Sequence, residues 1–547
     1  MSLKFIALSG TTGVTENLYI YEYENKMIIL DCGIGFPEME MYGVDLVIPD
    51  FTYIKENIHK LEGVVVSQGH EDHQGALPFL LKEVVTPVYA PPLVAAFIKD
   101  KLDDYGVKNY DVRTYNPDTD ILNIGPFKIH PFRVSHSIPD TLGFAIDTPE
   151  GRTFHVAEHK FDPAPVDGHQ FDEGKARELA KDGVLLLASD SLGSTKPGTT
   201  PGEADIESKM RKIAEGAKKA IFFTTISSNI GRIQQAIRVA ESLKRKVVFI
   251  GRSIDKKSEI AYNLGYIKRD KNTVVSPKEA TDLDRKSLFY IVAGSYGQAG
   301  SSLDRIATDD HELAYAEEND MLIMSSDPAP PYSKESIDAL VDKFIDKGLD
   351  VHYYGLNEGL YVSGHGSQED IKKLFDIVSP KYFIPLGGTV RFMKGYKDLV
   401  GVWGAPKENV FTLKPGEIVE FSGGKATKTG KIPVREVLVD GLGIGDVGKT
   451  ILGDRKILAE QGVVVAVIRI NAQNQVVGSE IISRGFIFEK QEQKFLKVTT
   501  NLLNKNLSGN KGKDVKDLSF KAINFLTRYF QRETGRKPLI IPVVVKI

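Results

Sequence analysis

Residues 61–83 read LEGVVVSQGHEDHQGALPFLLKE, an apolar run, a polar turn and a second apolar run. An apolar run, Leu61 to Val66, has the length and composition of a buried β-strand, and ALPFLLKE reads as a helix. Between them lies a polar turn holding His70, Asp72 and His73. Side chains in such a turn project from the carboxyl end of a strand, where ligand sites of α/β proteins lie. Two imidazoles and a carboxylate within four residues supply the nitrogen and oxygen donors that suit zinc or another divalent transition metal. A lone histidine here would read as a solvated turn residue; the H-x-D-H spacing at a strand end favours a metal site.

Working outward, other strand ends carry matching groups. His136 ends FRVSH, Glu158 follows FHVA, Asp190 ends VLLLAS, and His365 sits in Ser363-Gly364-His365-Gly366-Ser367 after LYV. Each alone is better explained as a turn or capping residue. Together with residues 70–73 they form a convergent set at the carboxyl ends of apolar strands.

The first 200 residues are dominated by short β-rich runs such as NLYIYEY, KMIILDCG and RTFHVAEH, which predict sheets packed on each other with helices outside. From 201 to 345, strands such as AIFFTT and KVVFI alternate with helices. In one of them Ile233, Ala236, Ile237, Ala240 and Leu243 recur at helical spacing, which predicts a parallel, doubly wound sheet. The strand-rich style returns over 346–422. A Gly/Lys/Thr-rich stretch then predicts a linker over 423–440, and a small α/β module follows over 441–547.

Composition narrows the class. The chain has 547 residues, 41% hydrophobic and 26% charged, which excludes collagen-like, wholly disordered and small disulfide-rich proteins. A net charge of −3 means that any nucleic-acid site must be a local basic surface. Cys32, the single cysteine, cannot form an intramolecular disulfide and fits a reducing, cytoplasmic setting. Gly443-Ile444-Gly445-Asp446-Val447-Gly448 matches a dinucleotide-binding spacing, but no acidic residue ends a second strand about 20 residues on, so that reading is set aside.

With these pieces in place, the chain resembles the ribonuclease J family over nearly its full length. The landmarks are LDCGIGFPEMEMYGVDLVIPD (30–50), GHEDHQGALPFLL (69–81), VSHSIPD (134–140), KFDPAPVDG (160–168), LASDS (187–191), SNIGRIQQ (228–235), GRS (251–253), VSGHGSQE (362–369), KYFIP (381–385), DGLGIGDVG (440–448) and SRGF (483–486). The resemblance implies a metallo-β-lactamase αββα sandwich with an inserted parallel α/β β-CASP domain and a small C-terminal α/β domain. It implies a metal-dependent RNA hydrolase, a 5′–3′ exonuclease with endonuclease activity as well. It implies two Zn²⁺ ions, with Mn²⁺ or Mg²⁺ as alternatives. His70 and His136 would hold one, Asp72 and His73 the other, and Glu158 would stand between them. Asp72 and His365 would be catalytic, Asp190 would orient a histidine, and Asp31 would be structural. Single-stranded RNA would run past Arg232, Arg252 and Ser253. Ser363, Gly364, His365, Gly366 and Ser367 would form a phosphate nest. A homodimer, a homotetramer or a hetero-oligomer with a paralogue is the implied assembly.

The sequence also departs from the family pattern. The first motif histidine is Gln68, whose neutral amide oxygen is a poor zinc ligand. The bridging aspartate is Glu158, the late histidine is Gly387, and the histidine after the SN motif is Gly231. His159 stands where the family often has phenylalanine. The family implies two ions; with these changes one or none is also compatible with the sequence. The same changes imply an alternative reading, a catalytically weak or inactive RNA-binding subunit that partners an active ribonuclease J paralogue.

Overall fold

The computed structural model describes residues 2–38, 40–326, 333–357, 359–441, 443–487, 489–508 and 514–547. The chain divides into two compact units. One comprises Met1–Phe36 and Leu46–Val437; the other comprises Pro37–Asp45 and Leu438–Ile547.

The larger unit holds two stacked sheets. The eight-stranded sheet runs, in spatial order, Lys425–Lys431, Glu417–Ser422, Leu3–Ala7, Tyr19–Tyr23, Lys26–Leu30, Leu61–Val65, Pro87–Ala90 and Asp111–Thr114. The six-stranded sheet runs Pro380–Leu386, Val184–Asp190, Gly151–Val156, Leu142–Thr148, Phe127–Arg133 and Leu122–Ile124. Residues that alternate along the strands face each other across one core: Leu3, Phe5, Tyr19, Tyr21 and Ile28 from the first sheet meet Ile129, Phe144, Leu186 and Ile384 from the second. The outer face of the second sheet, including Phe154, Leu187 and Phe383, packs on the helices Gln368–Val378 and Val390–Val402. This is the expected sandwich with helices outside.

Between the sandwich segments lies a five-stranded sheet of Lys246–Ile250, Leu288–Val292, Ile221–Thr224, Met321–Met324 and Asp350–His352, parallel throughout. Its strands are apolar without alternation because apolar clusters cover both faces, as a parallel sheet requires. Its last strand lies beyond the expected boundary at residue 345; only three residues long, it is too short to announce itself by pattern.

The stretch expected as a linker is structured. Lys425–Lys431 pairs antiparallel with Glu417–Ser422, and Gly423 and Gly424, at φ of 55° and 72°, form the hairpin turn. Lys425, Lys428 and Lys431 make it a lysine-rich sheet edge, which resembles a linker in composition while protecting the edge from pairing.

In the smaller unit, Val463–Ile470 pairs antiparallel with Val476–Arg484 and parallel with Leu539–Lys546. The helices Glu489–Leu507 and Val515–Thr534 cover one face through Leu503, Leu507, Leu518, Leu526 and Phe530. Arg455 anchors the 37–45 segment within this unit by donating to the Tyr42 carbonyl (2.9 Å) and pairing with Asp440. Among the described residues no helix is long and apolar enough to cross a membrane.

Candidate metal centre

The strands Lys26–Leu30 and Leu61–Val65 run parallel and end side by side. Asp31 leaves the first in a left-handed conformation, φ 62°. Its carboxylate accepts the Ser67 backbone N–H (2.7 Å) and the Ser67 hydroxyl (2.7 Å), and lies 2.8 Å from His73 Nδ1. With Nδ1 held there, His73 Nε2 faces the opposite way, 3.4 Å from Asp72 Oδ2 and 3.1 Å from Glu158 Oε1. Gly33 permits this close approach, since a Cβ at that position would lie 1.6 Å from the Asp72 carbonyl oxygen.

Asp72, His73 and Glu158 bring one ligand atom each within 4.8 Å of one another, a cluster able to hold a metal ion. Burial opposes the charge on His73, but Asp72, Glu158 and Asp31 outweigh it and raise its pKa well above the ordinary imidazole value. Burial likewise opposes ionisation of Glu158, and His73, His365 and His136 reverse the balance, holding it well below the carboxylate range. Three carboxylates around one buried imidazole make a field that draws a cation.

Glu158 is the hub. Its Oε2 accepts from the Gln68 amide and lies 2.9 Å from His136 Nε2. Its Oε1 faces His73 and, at 4.0 Å, His365 Nε2. His365 is oriented from behind by Asp190, whose Oδ2 lies 2.8 Å from His365 Nδ1. Burial lowers the His365 pKa, and Asp190 and Glu158 more than offset this, lifting it to about 9. His136 Nδ1 donates to the Gly364 carbonyl at 2.9 Å; a Cβ on Gly364 would lie 2.4 Å from the His136 ring.

Asn17 and Tyr19 belong to the site although sequence reasoning passed over them. Asn17 Nδ2 donates to the Asp72 carbonyl (3.0 Å) and Oδ2 (3.3 Å) and lies 3.2 Å from His73 Nε2, while the Tyr19 hydroxyl lies 2.8 Å from Asn17 Oδ1. Their one signal is a polar residue opening an otherwise apolar strand.

His70, expected to share an ion with His136, has its ring 5.2 Å from the His136 ring, with Ser228 Oγ 2.6 Å from its Nδ1 and Ser137 Oγ 2.7 Å from its Nε2. Other expectations are corrected. Arg232 is fully buried and pairs with Glu203, Ser325 and the Leu360 carbonyl, so it is a wall of the domain and not an exposed RNA contact. Residues 363–367 do not present a nest. The His365 N–H goes to Ser363 Oγ, that of Gly366 to the His159 carbonyl, and that of Ser367 to Asp370. His159 is buried between Phe161 and Phe171, away from the cluster. Arg252 and Ser253 are exposed at the start of the helix Arg252–Asn263. Gly387 has φ 60°, and a Cβ there would come no nearer than 3.9 Å to Asp190, so the space for a side chain exists but no donor fills it.

Three family models match the chain: a beta-lactamase superfamily domain over residues 26–170, a ribonuclease J beta-CASP domain over 218–344, and a ribonuclease J C-terminal domain over 450–547. The chain is 35% identical to "Ribonuclease J 1" of Streptococcus pyogenes serotype M3 over 98% of its length and 97% of that protein. It is 31% identical to "Ribonuclease J2" of Bacillus subtilis over 100% and 99%. A crystal structure of a protein of unknown function from Enterococcus faecalis V583 shares the fold at a TM-score of 0.52 and 13% identity, covering 77% of this chain and 100% of that one.

Proposed function

The chain belongs to the ribonuclease J family, and from that premise we infer how its site works as a metal-dependent hydrolase of RNA phosphodiester bonds. The observation that carries the reading is the convergence of Asp72, His73 and Glu158 opposite His365. Two carboxylates and an imidazole fit Zn²⁺, with Mn²⁺ or Mg²⁺ as alternatives. The chemistry supplied by a bound divalent cation is acidification of water and neutralisation of phosphoryl charge.

The remaining work falls to this chain's own residues. Asp31 fixes His73 from behind, and Asn17 holds Asp72 through its carbonyl and carboxylate. Asp190 holds His365 with Nε2 toward the site, where its ring can pass a proton to the departing oxygen. A cavity of about 470 Å³ beside Ser363 and Ser367, lined also by Lys196, Thr200, Tyr354 and Tyr361, receives the end of a single strand, with tyrosine faces for stacking. Arg252 contributes charge to the RNA path, and the polarity is 5′ to 3′.

The intact carboxylate–imidazole cluster favours hydrolysis over the alternative of a purely RNA-binding subunit. We place the protein in the cytoplasm and assign self-association to the C-terminal sheet. Its uncovered face presents Ile541, Val543 and Val545, each about two-fifths exposed, beside Val463, Val465 and Val467. The test is decay of a 5′-monophosphorylated single-stranded RNA by the purified chain, with His73→Ala as control. Metal-dependent release of nucleotides that His73→Ala loses is the expected result; equal decay by both proteins rejects the reading.

A further inference from the structure

We propose that this centre is mononuclear: Gln68 closes the first of the two metal positions by hydrogen bonding, leaving one cation for Asp72, His73 and Glu158. The proposal rests on the reading of that trio as a metal site and concerns what happens beside it.

A second ion would need Glu158 Oε2, His136 and His70, with Gln68 as a further donor. Each is otherwise engaged. Glu158 Oε2, which lies 2.9 Å from His136 Nε2, accepts from the Gln68 amide, and that amide takes the oxygen that a bridging carboxylate would give to a cation. His136 Nδ1 is taken by the Gly364 carbonyl, and its Nε2 faces Glu158 Oε2. Each His70 nitrogen meets a serine hydroxyl.

The orientation of Gln68 follows from its neighbour. Only the N–H end of an amide can face a carboxylate, so Nε2 turns to Glu158 and Oε1 points away. Gln68 is fully buried, and its Oε1 has no hydrogen-bond partner among the described residues. That oxygen is the one open acceptor at the first position, and a neutral amide oxygen without imidazole support is a weak ligand for zinc. The extra methylene of Glu158 relative to aspartate lets one carboxylate serve both roles, Oε1 toward His73 and Oε2 toward Gln68.

The experiment is metal stoichiometry of the full-length chain after equilibration with Zn²⁺, by elemental analysis and native mass spectrometry. The Mn²⁺ form is examined in parallel by electron paramagnetic resonance. The expected result is one ion per chain and a Mn²⁺ spectrum without exchange coupling. Gln68→His should move the count toward two, and His73→Ala should bring it to zero. Gln68→Met, which removes the amide but adds no metal-binding imidazole, should stay at one and covers the case in which Gln68→His does not fold. Two ions in the unaltered chain, or exchange-coupled Mn²⁺, would overturn the mononuclear proposal while leaving the metal site intact. No ion in the unaltered chain would instead overturn the underlying metal reading.

Discussion

His365 Nδ1 lies 2.8 Å from Asp190 Oδ2, although the two residues are 175 positions apart. Asp190 ends a strand of the second sheet, and His365 sits in the loop that leads into the helix Gln368–Val378. The contact turns the opposite nitrogen toward Glu158. Asp190→Asn should preserve the fold but lower kcat by about 10²–10⁴-fold, the usual worth of a positioned acid, while RNA affinity changes little. Single-turnover RNA cleavage alongside an equilibrium binding assay separates the two.

Asp31 does for His73 what Asp190 does for His365. Because the Asp31 carboxylate touches Ser67 and His73 but lies behind the imidazole, Asp31→Asn should weaken metal binding about 10–100-fold without removing a ligand. Competition with a chromophoric chelator measures this directly.

Glu203 joins Lys160 (2.9 Å) and Arg232 in a buried network. Burial alone would raise its pKa; Arg232 and Lys160 more than reverse that and pull it down to about 2. A carboxyl depressed in the folded state contributes stability that is fully present above its ordinary value of 4.5 and is lost as pH falls from there toward 2. Glu203→Gln should therefore cost about 3–5 kcal/mol near neutral pH, since it takes the carboxylate from buried Arg232 and leaves Lys160 with Asp162 at 3.7 Å, and should flatten the acid limb of the stability curve. Urea unfolding at several pH values checks both effects.

The C-terminal sheet offers a test of assembly. Ile541→Lys combined with Val543→Lys places charge on the uncovered face without touching the helix-covered one. A drop in molar mass by light scattering, with unchanged far-UV circular dichroism, is expected.

Much of this was legible in the sequence where local pattern and tertiary structure agree. The run from Leu61 to His73 announces strand, turn and ligands because its apolar stretch and its chemistry are contiguous. Ile233, Ala236, Ile237 and Ala240 announce a buried helix face for the same reason. What stayed hidden depends on partners far along the chain. The serines that meet the His70 nitrogens, Ser137 and Ser228, come from distant segments, and Arg232 looks like an RNA contact until Glu203 is folded against it. The 423–424 glycines read as a linker because a tight hairpin and a flexible joint use the same residues. Asn17 was missed because its role lies in a contact to Asp72, 55 residues away.

The most direct measurement is the decay of a 5′-monophosphorylated single-stranded RNA by the purified chain, after chelation and again after restoring Zn²⁺ or Mn²⁺. The chelated protein should show no decay, added metal should restore it, and His73→Ala should not recover. Decay that survives chelation, or that His73→Ala retains, would contradict metal-dependent hydrolysis at this site.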